Sequence, residues 1–248
     1  VPYAEYRQAI IDSGVTIVEM AGNNPQEHIQ YFKQHGITVI HKCTTVRHAL
    51  KAQQLGVDIV SIDGFECAGH VGEHDIPNFV LIPRAAKGLS IPVIALGGMA
   101  TGASLVAALS LGAEGINMGT RFMCTKESPI HPRIKDAILR QTEHDTTIIL
   151  RSLRNSSRVA LNEVAKEVIE LESRGAGIDE IGPVVSGARG RRVYEEGDVD
   201  AGIWTVGLCQ AMIDNVPSCA ELIDSIVREA ESIIEDRLSV LFGLRVQA

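Results

Sequence analysis

Five short runs, apolar almost throughout, punctuate the first 122 residues: VTIVEM (15–20), TVIHKC (38–43), DIVSID (58–63), PVIALGG (92–98) and GINMGTRF (115–122). Between them lie stretches patterned as helices, ending near Gly36 and Gly56 and spanning about 79–89 and 102–111. A strand that is apolar on both faces must be covered on both faces, and helix-linked parallel strands achieve this. The pattern therefore predicts an α/β fold, and 248 residues suffice for one large domain of that kind. Aromatics at 4% beside 23 glycines fit strand–helix units with tight turns better than a β-sandwich. The widest gap between strands holds an inserted loop, GHVGEHDIPN (69–78), on the carboxyl side of the third run. Catalytic groups of parallel barrels collect on that side.

From about residue 129 to 195 strand runs largely give way to amphipathic helical segments, notably SRVALNEVAKEVIELESRG (157–175). This reads as a small helical lid, with SGARGRR (186–192) as a basic, glycine-rich turn on its surface. From 202 onward GIWTVGLCQAMI and then 221–241 read as helices, the latter with Leu222, Ile223, Ile226, Val227, Ala230, Ile233 and Ile234 on one face. Five parallel strands are too few to close an eight-stranded barrel. The expectation is a TIM (β/α)8 barrel whose N-terminal strands are missing from this chain, with an open α/β sheet as the alternative. The expected divisions are a barrel part over 1–128 (about the fourth to eighth strands), the lid over 129–195, and C-terminal helices returning to the barrel over 196–248.

With 23 basic and 31 acidic residues the formal charge is −8, which argues against a broad surface for nucleic acid or anionic membranes. No apolar run approaches the roughly 20 residues of a membrane span. The N-terminus resembles neither a signal nor a transit peptide. Five scattered cysteines suit reduced thiols and a cytoplasmic setting. Cys67 to His70 is a lone C-x-x-H without a second pair, so no metal site is expected.

Two strand ends carry glycines, Gly97-Gly98 and Gly119-Thr120. Backbone N–H groups freed there can hold a phosphate, or the glycines can merely permit tight turns. Neither G-x-G-x-x-G nor a P-loop is present. Lys42 ends an otherwise apolar strand, where an anion or the electron-rich edge of a flavin would explain its charge; snorkelling is the alternative. His70, flanked by glycines in ECAGHVG, can take a proton from a carbon acid at neutral pH. His74 is its nearest competitor, in a more polar part of the loop, and Asp63 ends its strand where it can orient a partner.

HKCTT (41–45), DGFECAGHVGEHD (63–75), PVIALGGMATG (92–102), GINMGTRFMCTKE (115–127) and VPSCAELI (216–223) together resemble the nitronate monooxygenase family, long called 2-nitropropane dioxygenases. The resemblance implies an FMN-dependent (β/α)8 barrel with a helical lid. It implies that His70 acts as base or orients the substrate, that Lys42 contacts the flavin with Gly69 beside it, and that Gly97, Gly98, Gly119 and Thr120 hold the phosphate. The implied reaction converts a nitronate or nitroalkane and O2 to a carbonyl compound and nitrite, with small molecules as partners and a homo-oligomer left open. Close rivals on the same fold are NAD(P)H-dependent enoyl-acyl-carrier and quinone reductases; a non-catalytic phosphate-ligand-binding barrel is a distant third.

Overall fold

The computed structural model describes residues 3–22 and 24–243. After helix α1 (Tyr3–Asp12), strands and helices alternate: β1 (Ile17–Met20), α2 (Gln26–Gln34), β2 (Thr38–Cys43), α3 (Val46–Gln54) and β3 (Ile59–Asp63). A two-residue strand β4 (Gly69–His70) precedes α4 (Asn78–Gly88), β5 (Val93–Leu96), α5 (Gly102–Ser110), β6 (Gly115–Asn117) and the short α6 (Thr120–Met123). Strands β1, β2, β3, β5 and β6 lie side by side in chain order, all parallel. This is the strand arrangement of a barrel wall, and each strand falls within one of the five predicted runs.

Alternation along the strands sorts the side chains. Val39, Cys43, Val60, Ile62, Val93 and Ala95 are buried in one core with Ile29 and Phe32 of α2, Ala49 and Ala52 of α3, and Leu81, Ile82 and Ala85 of α4. Glu19, Lys42, Ser61, Asp63 and Asn117 occupy the alternate positions and turn to the other face. Thr45 starts α3 by accepting from His48 N–H, and Thr101 with Ser104 forms a capping box on α5.

The second half departs from the expected helical lid. After α7 (Pro132–Arg140), strands β7 (Thr146–Ile149) and β8 (Ser157–Ala160) form an antiparallel ribbon that also pairs with β4, in the order β4-β8-β7. Residues 157–160, read from sequence as the start of a helix, are strand because both neighbours supply ladder partners; the helix α8 (Glu163–Ser173) begins only after Asn162 caps it. Then follow α9 (Ile178–Val184) and α10 (Gly187–Glu196). The predicted turn at 186–192 is thus helical. Its glycine allows close packing rather than turning, since a Cβ on Gly190 would stand 2.9 Å from the Ile203 carbonyl oxygen. The predicted helix from 202 reduces to one 3₁₀ turn at 208–212. α11 (Cys219–Ser232) is capped by the Ser218–Glu221 box and continues through a π-turn at 233–238 into α12 (Ser239–Phe242). On α11, Leu222, Ile226 and Ala230 are buried, whereas Ile223 and Val227 of the predicted apolar face, and Ile234 in the π-turn, are exposed. Among the described residues no helix is long and apolar enough to cross a membrane.

Candidate active site

The carboxyl ends of the parallel strands meet at one edge, because Lys42 stands opposite Ser61, Asp63 opposite Leu96, and Leu96 opposite Asn117. A cleft of about 720 Å³ opens there, in the size range of small-molecule sites. Lys42, Asp63, His70, Glu73 and Ser156 line its inner end.

Lys42 approaches Glu19 Oε2 at 4.0 Å, and Asn117 Nδ2 donates to Glu19 Oε1 at 2.9 Å. The lysine is only half-buried at the strand end, where its ammonium can serve an anionic edge of a ligand. Asp63 is 8% exposed, and its Oδ1 has no hydrogen-bond partner among the described residues. Burial pushes its carboxyl up to about 7, against the pull of Lys42 and with a further push from Glu19. The acid is therefore protonated for part of the physiological range and can donate or accept a proton at the cleft. Buried Ser61 Oγ likewise lacks a partner.

His70 is exposed, yet its backbone is fixed. It pairs with Ser157 while Gly69, at φ +68°, pairs with Arg158. The segment before it is held by Arg158, whose Nη2 donates to the Phe65 carbonyl at 2.9 Å and whose guanidinium lies 4.6 Å from the Phe65 ring centroid. Arg158 Nη1 reaches Thr146 Oγ1 at 2.9 Å. The segment after it is held by Glu73, whose carboxylate accepts from Ser156 N–H at 3.0 Å and Ser156 Oγ at 2.7 Å. These hydrogen bonds hold the Glu73 carboxyl below the usual range. Asp75 adds an ion pair to Arg151 at 2.9 Å. Sequence reading found His70 but not this clasp, because β8 belongs to a segment whose own pattern favours helix. His74 is exposed and does not line the cleft.

Cys43 and Cys67 are buried near the same edge, and burial pushes both thiols up to about 12, so neither is a thiolate nucleophile. Among the described residues no three His, Cys, Asp or Glu side chains group as metal ligands.

The glycine-bearing strand ends lie one and two strands away from Asp63 along the same edge. Gly97 and Gly98 both have positive φ, +94° and +75°. A Cβ on Gly97 would stand 2.9 Å from Cys67 N, so that glycine is needed for packing against the 64–67 turn. Asn78 Nδ2 donates to the carbonyls of Leu96 at 2.8 Å and Gly97 at 2.6 Å, securing the turn. The N-terminus of α5 is occupied, as Gly102 and Ala103 N–H donate to the Glu229 carboxylate at 2.7 and 3.3 Å. Gly119 differs: open space lies where its Cβ would be. Thr120 is buried, and its hydroxyl accepts from Gly207 N–H at 2.9 Å. Of the predicted residues, the cleft brings Lys42 and His70 together; Gly69, Gly97, Gly98, Gly119 and Thr120 do not line it.

A family profile described as nitronate monooxygenase matches residues 1–229. A probable nitronate monooxygenase of Bacillus subtilis (strain 168) is 35% identical over 157 residues, covering 60% of this chain and 45% of the relative. The chain thus spans less than half of that relative's length. A (3aS,4S,5R,7aS)-5-hydroxy-7a-methyl-1-oxo-octahydro-1H-indene-4-carboxyl-CoA dehydrogenase of Rhodococcus jostii (strain RHA1) is 28% identical, over 89% of this chain and 72% of its own. Among solved structures, FabK from Thermotoga maritima superposes with a TM-score of 0.90 at 31% identity, over 99% of this chain and 76% of that one.

Proposed function

Since the chain belongs to the nitronate monooxygenase family, a family of flavin-dependent oxidoreductases, we propose that it takes part in FMN-dependent oxidation of nitronates or nitroalkanes by O2 to a carbonyl compound and nitrite. The observation that carries this reading is the cleft in which Lys42, Asp63 and His70 converge at the carboxyl edge of the sheet.

The residues present suit a phosphorylated flavin. The space beside Gly119 lets a phosphate approach its backbone, whereas Gly97 is already packed on Cys67. Asp63 Oδ1 and Ser61 Oγ are buried polar atoms in want of a partner, and Lys42 supplies positive charge. When bound, FMN supplies the electron transfer to oxygen. The chain's own groups do the rest. The His70 imidazole takes the α-proton of a neutral nitroalkane on a ring nitrogen, or orients an anion that arrives already deprotonated. Lys42 draws negative charge toward the sheet edge, and the β4–β8 pairing keeps the histidine from swinging away.

The likeness to FabK, over 99% of this chain and 76% of that one, favours a second reading, an NAD(P)H-dependent flavin reductase. Anaerobic stopped-flow mixing of the flavin-loaded protein with a nitronate and, separately, with NADH decides between them. Bleaching of the flavin absorbance by the nitronate alone is expected; bleaching by NADH alone moves the protein to the reductases. No bleaching by either overturns both.

A further inference from the structure

The cleft does not stop at the sheet edge. It continues outward between α2 and α3, where Gln26, His41, His48 and Lys51 line it. His41 is 5% exposed, and its Nδ1 is buried with no partner among the described residues. Among the described residues the nine-residue α2 begins beside it without a side-chain cap on Pro25, and in its first turn only Gln26 N–H finds a side-chain acceptor, Asn24 Oδ1 at 3.2 Å. The acid of that first turn, Glu27, is drawn aside by Arg7 at 2.6 Å. Lys51 on α3 makes no ion pair among the described residues, nor does Arg154 across the cleft. In a chain of net charge −8, this end combines two histidines, unpaired cations and the positive end of a helix dipole.

We propose that the outer end of the cleft, formed by His41, His48, Lys51 and the N-terminus of α2, binds a phosphoryl group carried by the substrate, separately from the flavin phosphate. The proposal rests on reading the cleft as the substrate site, and it extends the substrate class from small nitronates to phosphorylated molecules. A tetrahedral oxyanion there accepts from the backbone N–H groups of α2, from Lys51 and from the histidines. The ionisable groups that line the cleft with His41 are His48 and Lys51 on α3, Arg154, and, from the opposite face of the sheet edge, Lys42, Asp63, His70 and Glu73. Burial holds the His41 imidazole below its usual value, against a hydrogen bond to the Met20 backbone that raises it and with His48 pushing the same way as burial. A bound dianion favours the protonated imidazole, so binding tightens as pH falls.

The test is calorimetric titration of the flavin-loaded protein, and of the flavin-free protein beside it, with phenyl phosphate and with inorganic phosphate, at about pH 6 and about pH 8. Phenyl phosphate is expected to bind more tightly at the lower pH. Lys51→Ala should weaken it at least about fivefold, and His41→Asn should reduce the preference for the lower pH. Lys87→Ala on α4 is the control and should change nothing. Parent-like affinity in Lys51→Ala overturns the proposal. So does binding of inorganic phosphate alone, which makes the site one for the free ion, or binding only to the flavin-free protein, which gives the site to the flavin. Because the readout is binding, it stands or falls independently of nitronate turnover.

Discussion

Asn117 on β6 and Glu19 on β1 stand on the two outermost strands of the five-stranded sheet, yet Asn117 Nδ2 donates to Glu19 Oε1 at 2.9 Å. Such a contact requires the sheet to curl until its edges face one another across the concave side. The polar residues on that face, Glu19, Lys42 and Asn117, are thereby gathered into one cluster. A double-mutant cycle on Glu19→Ala and Asn117→Ala is expected to return a coupling of about 0.5–1 kcal/mol in chemical denaturation, modest because Glu19 is solvent-exposed. Zero coupling would mean an uncurled sheet.

Asp63 is a carboxyl whose folded value is raised, to about 7, mainly by burial. The folded state therefore holds a proton that the unfolded chain gives up from about pH 4 upward. That contribution to stability is present below pH 4 and is lost as pH rises toward 7. Asp63→Asn removes the penalty, so its stability relative to the parent should rise by on the order of 3 kcal/mol between about pH 4 and about pH 8. Urea unfolding at the two pH values measures this; a pH-independent difference would refute it.

His70→Asn in the flavin-loaded protein should lower oxidation of neutral nitroalkane about 100-fold or more, while preformed nitronate loses less than about fivefold. Steady-state oxygen uptake with each substrate separates the two. Equal losses would make His70 an orienting group rather than a base.

Gly97 and Gly119 should respond in opposite ways to alanine. At Gly97 the positive φ and the Cys67 backbone 2.9 Å away predict a loss of about 2–4 kcal/mol of stability. Gly119 has a negative φ, −100°, and open space around its Cα. Gly119→Ala should therefore leave the thermal midpoint of the flavin-free protein nearly unchanged, yet weaken FMN at least about tenfold in a fluorescence titration. Unchanged FMN affinity would remove Gly119 from the phosphate site.

Arg158 holds the strand end before His70 through Phe65 and Thr146. Arg158→Met should cost about 2–4 kcal/mol and raise hydrogen exchange across residues 65–72, because the Phe65 carbonyl and ring lose their partner. Arg158→Lys keeps the charge but cannot bridge both acceptors, and should recover only part of the protection. Full protection in Arg158→Met would show that β4–β8 pairing alone fixes the loop.

The strand at 38–43 illustrates what was legible in advance. TVIHKC carries its own signal, since apolar β-branched residues need burial on whichever face they present, and it forms β2 over those same residues. Lys42 and His70 were legible for the converse reason: a charge at the end of an apolar strand and a histidine between glycines both break the local pattern. Residues 157–160 show the opposite case. The apolar spacing of Val164, Val168 and Leu171 runs back through Val159 and Ala160 as one helical stripe, and only β4 and β7 convert those four residues to strand.

The alternation of apolar runs and helices thus determined by itself that this chain builds a parallel α/β sheet with a loop-borne histidine at its carboxyl edge. Local periodicity suffices for that, because burial of each strand and helix face follows from its own residues. Tertiary structure decided what surrounds the histidine. The Arg158 and Ser156 clasp, the raised carboxyl of Asp63 and the facing of Glu19 with Asn117 join positions 83 to 98 residues apart or depend on burial that many segments create together. No local pattern encodes the desolvation of a group by chain that packs over it from elsewhere.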